Sequence, residues 1–150
     1  MNEVLSVIDK DVILVNLAAN NKHDILEALA NAFSEAGYVT DVESYIADVY
    51  EREEEGSTGI GNYIAIPHGK SDSVVKSGVA IGILQDEIDW ETLDDHGVRV
   101  VILFAVGADT ESSHEHLRML SLFARQLGKD EVVEQLLHAT VIDDVVAAFE

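Results

Sequence analysis

The chain has 150 residues, 47% of them apolar, with 29 acidic side chains against 9 basic ones and a formal net charge of −20. That length fits one domain around a single core and that apolar content excludes wholesale disorder; the absence of Cys excludes a disulfide frame and thiolate chemistry, and no apolar run approaches the ~18–20 residues of a membrane span. So acidic a surface repels nucleic-acid phosphates and anionic lipid heads, and reads as a solubility device or an adaptation to high internal salt, with a docking face as the less favoured alternative.

Met1-Asn2-Glu3-Val4-Leu5 has no basic region ahead of an apolar one, so no signal peptide is expected and the chain reads as cytoplasmic. Val12 to Val15 reads as a first strand or extended segment. Asp24 to Ala36 has the spacing of a helix, with Ile25, Leu29, Ala32, Phe33 and Ala36 on one stripe and Gly37 as a left-handed stop. Asp41 is a candidate N-cap for a second helix, whose stripe is Val42, Tyr45, Ile46, Val49 and Tyr50 and which Gly56 ends. The charge run Glu51-Arg52-Glu53-Glu54-Glu55 reads as a solvated helix end.

Tyr63 to Ile66 reads as a short strand. Val79 to Leu84 and Val98 to Val106 are continuous apolar runs and read as strands buried on both faces, with Gly82 marking close packing or a bulge. A helix is expected from about Ser113 to Leu127, with Ser112 and Glu115 spaced as a capping box. Two short helices follow, near Glu131–Leu137 and Ile142–Phe149, the second capped by Thr140 and Asp143. The interleaving predicts an α/β single-domain sandwich over residues 1–150, with a mixed or parallel sheet flanked by helices.

Three places carry candidate chemistry. Gly59 and Gly61 begin a G-x-G, but position 64 is Ile and the glycines precede a strand instead of following one, so the dinucleotide fingerprint is absent. No G-K-[ST] is present, and neither nucleotide nor other cofactor is expected. The glycines form either an ordinary turn or a backbone cradle for phosphate.

His68 is held between Pro67, which fixes the backbone before it, and Gly69, which leaves space beside it. It is either a structural histidine or a nucleophile, since a neutral ring nitrogen can attack phosphorus and hold the group until a better acceptor arrives. Such a transfer needs cations and N–H donors, and Arg52 and the Gly59–Gly61 loop are the nearest in sequence.

His114-Glu115-His116 lies in the expected third long helix, where residues two apart point to different sides, so no metal site is expected. His116 leads to Met119, Leu120 and Phe123 and faces inward, while His114 leads to Arg118 and Ser121 and faces solvent. In the first helical turn His116 would have a lowered pKa, either as a satisfied cap-region residue or as a neutral support for a phosphorylated partner. His23, His96 and His138 read as surface residues.

Glu53, Ile60-Gly61 and Ile64-Ala65-Ile66-Pro67-His68-Gly69 together span 17 positions and resemble the phosphohistidine motif of the mannitol/fructose-type (type 2) enzyme IIA domains of the bacterial phosphoenolpyruvate-dependent sugar phosphotransferase system. His116-Leu117 with Leu120 and Phe123-Ala124 resembles the family's second-histidine helix, and Leu136-Leu137-His138-Ala139-Thr140 its C-terminus, so the likeness covers the whole chain. The resemblance implies an α/β fold with a mainly parallel mixed sheet. It implies that His68 is phosphorylated by the histidine phosphocarrier protein (HPr) and passes the group to a cysteine of a cognate enzyme IIB in a fructose-type system. His116 would assist, Arg52 would stabilise the phosphoryl group, Thr58 would fall on the loop before the motif, with Thr58, Gly59 and Gly61 as candidate loop contacts, and no metal or ATP would act at this step. The Ser57-to-Asn62 loop also resembles nitrogen-related members, which implies a regulatory phosphoprotein as the alternative. A structural module carrying a relic motif stays open as well.

Overall fold

The two long apolar runs set the centre of the fold, because strands buried on both faces must have a layer on each side. The computed structural model describes residues 3–150. Met1 and Asn2, the first residues of the stretch read as lacking a signal sequence, lie outside them. In chain order the elements are α1 (Glu3–Val7), a 3₁₀ turn (Lys10–Val12), β1 (Ile13–Leu17), α2 (Lys22–Glu35), α3 (Val42–Glu55), β2 (Gly59–Gly61), β3 (Ile64–Ala65), β4 (His68–Ser71), β5 (Gly78–Ile88), β6 (Val98–Gly107), α4 (Thr110–Leu127), α5 (Asp130–Leu137) and α6 (Ile142–Ala148).

The sheet runs β1-β5-β6-β3-β2, with β4 also on β6. β1/β5, β3/β6 and β4/β6 are parallel, while β5/β6 and β2/β3 are antiparallel. Alternate residues of β5 and β6 feed two cores. Ala80, Leu84, Val101, Leu103 and Ala105 pack under α2 and α3. Val79, Ile81, Ile83, Val100, Ile102 and Phe104 pack under α4, α5 and α6. The expected mixed, mainly parallel α/β sandwich is the observed fold. Among the described residues no helix is long and apolar enough to cross a membrane.

β3 and β4 behave as one strand interrupted once, with β2 outside the first half and the second half at the edge. Ile64 faces Val100 and His68 faces Phe104, so both halves share a single register along β6. Pro67 occupies the interruption, where an absent N–H costs no ladder bond, and its carbonyl still accepts from Phe104 N at 3.0 Å. β2 reaches β3 through Asn62 and Tyr63, both with positive φ (56° and 66°), the pairing of conformations that a tight two-residue hairpin turn requires.

Several boundaries differ from expectation. The Gly59–Gly61 segment is a short strand rather than a bare turn. Strand β4 and helix α1 were not expected at all. The capping box at Ser112 and Glu115 is absent: α4 starts three residues earlier, at Thr110, because the Asp109 carboxylate is the stronger acceptor and takes Ser112 N at 2.7 Å and the Ser112 hydroxyl at 2.8 Å. At α6 the acceptor is Asp144, whose Oδ2 receives Thr140 N at 3.0 Å and Val141 N at 3.2 Å, and Asp143 instead pairs with Lys10 at 3.0 Å. Gly82 marks close packing: a Cβ there would lie 2.9 Å from Ile25 Cδ1 of α2.

Candidate functional site

His68 opens β4, and in a parallel pair it shares the face of its partner Phe104, toward α4. Among the described residues β4 pairs only with β6, so this end of the sheet is an edge. On the opposite face α3 lies against β4. The intimacy of that packing requires Gly69, since a Cβ there would lie 2.7 Å from Val49 Cγ2 and 2.8 Å from Tyr45 Cε1. Tyr45 anchors the helix further by donating its buried hydroxyl to the Phe104 carbonyl at 2.7 Å. Arg52 continues the Tyr45–Val49 stripe at i+7 and i+3, which carries its guanidinium past the sheet edge to His68.

Arg52 Nε–H donates to His68 Nε2 at 3.2 Å, and Nη1 donates to the Gly56 carbonyl at 2.9 Å, so the side chain is tethered at the end of its own helix. A nitrogen that accepts cannot carry a proton. The neutral His68 ring is therefore protonated on Nδ1 and presents a lone pair on Nε2.

His116 comes down from α4 beside it, with ring centroids 4.7 Å apart and planes at 41°, and its ring edge meets Phe104 at 5.2 Å. Its inward orientation follows the Met119, Leu120 and Phe123 stripe, and only 8% of the residue is exposed. His114 is exposed, so the two do not converge. His116 lies seven positions beyond the Asp109 cap, outside the first turn, which corrects the expected origin of its basicity. Its pKa is lowered to about 4, first by burial, then by repulsion from His68 whenever that ring is also protonated, and then by the Arg52 charge. Burial, then the Arg52 charge, also lowers the His68 pKa, against weaker opposition from the Ile66 backbone, Glu53 and Glu55. Both shifts favour the neutral rings at pH 7.

These groups line an open cleft of about 660 Å³. Lys70, two residues beyond His68 on the same face of β4, adds a second cation that the sequence reading did not single out; period-two alternation from His68 would have pointed to it. The rim carries Asp48, Glu51, Glu54 and Glu55, with the exposed Leu117 opposite on α4. The structure does not bring Thr58, Gly59 or Gly61 to this cleft. Thr58 is 4% exposed and gives its hydroxyl to Glu53. Gly59 lies against the Glu91 carbonyl and Gly61 against the Asp94 carboxylate. Glu53 itself is no solvated helix end: its side chain is 7% exposed and pairs with Lys22 at 2.7 Å.

A family model matches almost the whole of the chain that carries this site. The model for phosphoenolpyruvate-dependent sugar phosphotransferase system, EIIA 2, aligns with residues 6–150. The chain belongs to this family. It is 35% identical to the mannitol-specific phosphotransferase enzyme IIA component of Halalkalibacterium halodurans, over 95% of this chain and 93% of that protein. It is 31% identical to the fructose-specific EIIABC component of Bacillus subtilis, over 96% of this chain but 22% of that much longer protein, so it spans about a fifth of such multidomain relatives. In fold it is similar to the nitrogen regulatory protein IIA-Ntr of Neisseria meningitidis, with a TM-score of 0.86 over 99% of each chain at 21% identity.

Proposed function

We propose that this EIIA protein is the phosphoryl carrier of a sugar phosphotransferase uptake system, receiving the group on His68 Nε2 from HPr and passing it to a cysteine of a cognate enzyme IIB. The observation that carries the reading is the Arg52 Nε–H to His68 Nε2 hydrogen bond at 3.2 Å, in an open cleft and beside a neutral second histidine.

The Nε2 lone pair attacks the phosphorus of the donor's phosphohistidine. The new N–P bond forms as the donor N–P bond breaks, and that electron pair returns to the donor ring. The Nδ1 proton stays in place. Arg52 moves from the ring nitrogen to the arriving phosphoryl oxygens, where its fork suits a tetrahedral anion. Neutral His116 donates an N–H to the same group without adding a charge that would repel a protonated neighbour. In the second half the enzyme IIB thiolate attacks phosphorus, and the His68 ring leaves with the N–P electron pair. The acidic rim repels free phosphate and nucleotide and accepts a basic docking surface, which favours a protein donor.

The supporting test is phosphorylation by phosphoenolpyruvate, enzyme I and HPr. One group per chain is expected, and none on His68→Ala; labelling that survives this substitution sinks the assignment. The regulatory alternative rests on likeness of fold at 21% identity and on the Ser57-to-Asn62 loop, and a pulldown recovering regulators without enzyme IIB would favour it.

A further inference from the structure

Arg52 and Glu53 are neighbours in sequence but point apart. Arg52 extends the Tyr45–Val49 stripe toward the cleft, while Glu53, at i+7 from Ile46 and i+4 from Val49, turns into the body of the protein. Its carboxylate is satisfied on both oxygens: Oε2 receives Lys22 Nζ of α2 at 2.7 Å, and Oε1 receives the Thr58 hydroxyl. Lys22 lies in turn over the Trp90 ring, 4.5 Å from its centroid. Thr58 is tied onward, since its carbonyl accepts from Ile66 N at 3.0 Å, two residues before His68.

The links close a ring. From Arg52 the path runs through the peptide to Glu53, across a hydrogen bond to Thr58, across another to Ile66, and along Pro67 to His68. The Arg52 Nε–H to His68 Nε2 bond closes it. Neither Glu53 nor Thr58 lines the cleft. An apolar residue at position 53 would fill the space equally well but would tie α3 to nothing in particular, whereas a buried carboxylate is tolerated only with its partners in place.

We propose that Glu53 is a positioning residue for phosphoryl transfer, clamping the last turn of α3 to the strand end that carries His68 and so setting the Arg52–His68 contact. The proposal deepens the carrier reading and rests on it. Pre-aligned reacting groups matter here because a misplacement of about 1 Å can cost on the order of 100-fold in rate.

Two variants cut the clamp without leaving a bare buried charge. Thr58→Val removes only the hydroxyl and keeps the Lys22–Glu53 pair. Glu53→Leu combined with Lys22→Met removes both charges together, a kind of exchange that folds are known to tolerate. Each is measured for the rate of His68 phosphorylation at saturating phosphorylated HPr, for the KM for that donor, and for the ¹⁵N spectrum of the His68 ring. We expect an unchanged KM, a fall in the maximal rate of about 10- to 100-fold, and a His68 Nε2 signal that moves to the position seen in Arg52→Ala. Adding Thr58→Val to Arg52→Ala should change neither rate nor spectrum further, because both act through one contact. Wild-type rates and an unmoved Nε2 signal in both variants overturn the proposal, as does full additivity with Arg52→Ala. If the unmodified protein takes no phosphate, the carrier reading fails by that result alone, and the ring spectra still decide whether Glu53 sets the contact.

Discussion

The depressed basicity of His116 predicts a specific acid weakening of the fold. A histidine with a folded pKa of about 4, against 6.5 in the unfolded chain, is neutral in the native state while the unfolded state takes up a proton. Its contribution is fully present above about pH 6.5 and is lost progressively as pH falls toward 4. At pH 5 the unfolded site is almost fully protonated and the folded site about one-tenth protonated, which by linkage removes about 2 kcal/mol relative to pH 7.5. The cleft is open to water on one side, and screening reduces this to about 1–2 kcal/mol. For a chain of this size that corresponds to a Tm lower by about 2–8 °C. Acidification also relieves repulsion among the 29 carboxylates, so the total pH profile mixes two effects of opposite sign. The informative quantity is a difference. Urea unfolding of the protein and of His116→Gln, followed by the single Trp90 at pH 7.5 and pH 5, should show the parent losing about 1–2 kcal/mol more than the variant. His68, also shifted downward, acts with the same sign in both proteins and largely cancels. Parallel profiles within about 0.5 kcal/mol would refute the reasoning, since that is the usual scatter for independent sites.

Arg52→Ala should slow phosphoryl uptake by about 1–3 kcal/mol of transition-state stabilisation, and should raise the His68 pKa, because the Arg52 charge is the second largest cause of its lowering. An NMR titration of the ring reads the shift, and an unmoved pKa with a loss confined to thermal stability would mark Arg52 as structural. Gly69→Ala places a Cβ 2.7 Å from Val49 Cγ2 and 2.8 Å from Tyr45 Cε1. It should cost about 1–3 kcal/mol in urea unfolding and move α3 off β4; a fully stable variant would show that this packing yields easily. Because a net charge of −20 repels itself, raising NaCl from 0.05 to 1 M should raise the Tm. A flat or falling Tm would show that the acidic surface does not strain the fold.

The helices with a complete apolar stripe were legible within two or three residues at either end. α2 was expected from Asp24 to Ala36 and runs Lys22–Glu35, and Asp41 caps α3 as expected, its Oδ1 taking Ser44 N at 3.1 Å. Strand β4 was not legible because His68-Gly69-Lys70-Ser71 has no apolar residue; its conformation is imposed by the β6 ladder. Helix α1 is too short to show a period, and it is fixed from outside by the buried Val4 and the Glu3–Arg118 pair at 2.7 Å. At the site, the inward turn of His116 was readable from its own helix, and the Arg52 stripe was readable in principle. What one-dimensional reading missed are the contacts that cross elements: the buried pairing of Glu53, a motif residue that stands inside a charge run, Lys70 beside His68, and the burial of Thr58 away from the cleft. Charge runs conceal buried members because composition does not record which side of a helix meets a neighbouring one.

On the carrier reading, the position of the site follows from what a carrier must satisfy. Its nucleophile has to meet two protein partners in turn through the same face, so it cannot lie in a closed pocket. It must also stay neutral and aligned between encounters, which an exposed surface histidine does not. An edge strand meets both demands. Among the described residues β4 has no strand on its outer side, so His68 opens to the cleft, while α3 behind and α4 beside it desolvate the ring and lower its pKa. Pro67 makes the edge compatible with the register of β3, so the histidine inherits the rigidity of β6 through the Phe104–Pro67 hydrogen bond of 3.0 Å. A histidine on a loop would have the access without the alignment, and one on β6 the alignment without the access. The Gly69 contact with α3 joins the two requirements, because it is the close approach of helix to strand that lets Arg52 reach round the edge to Nε2.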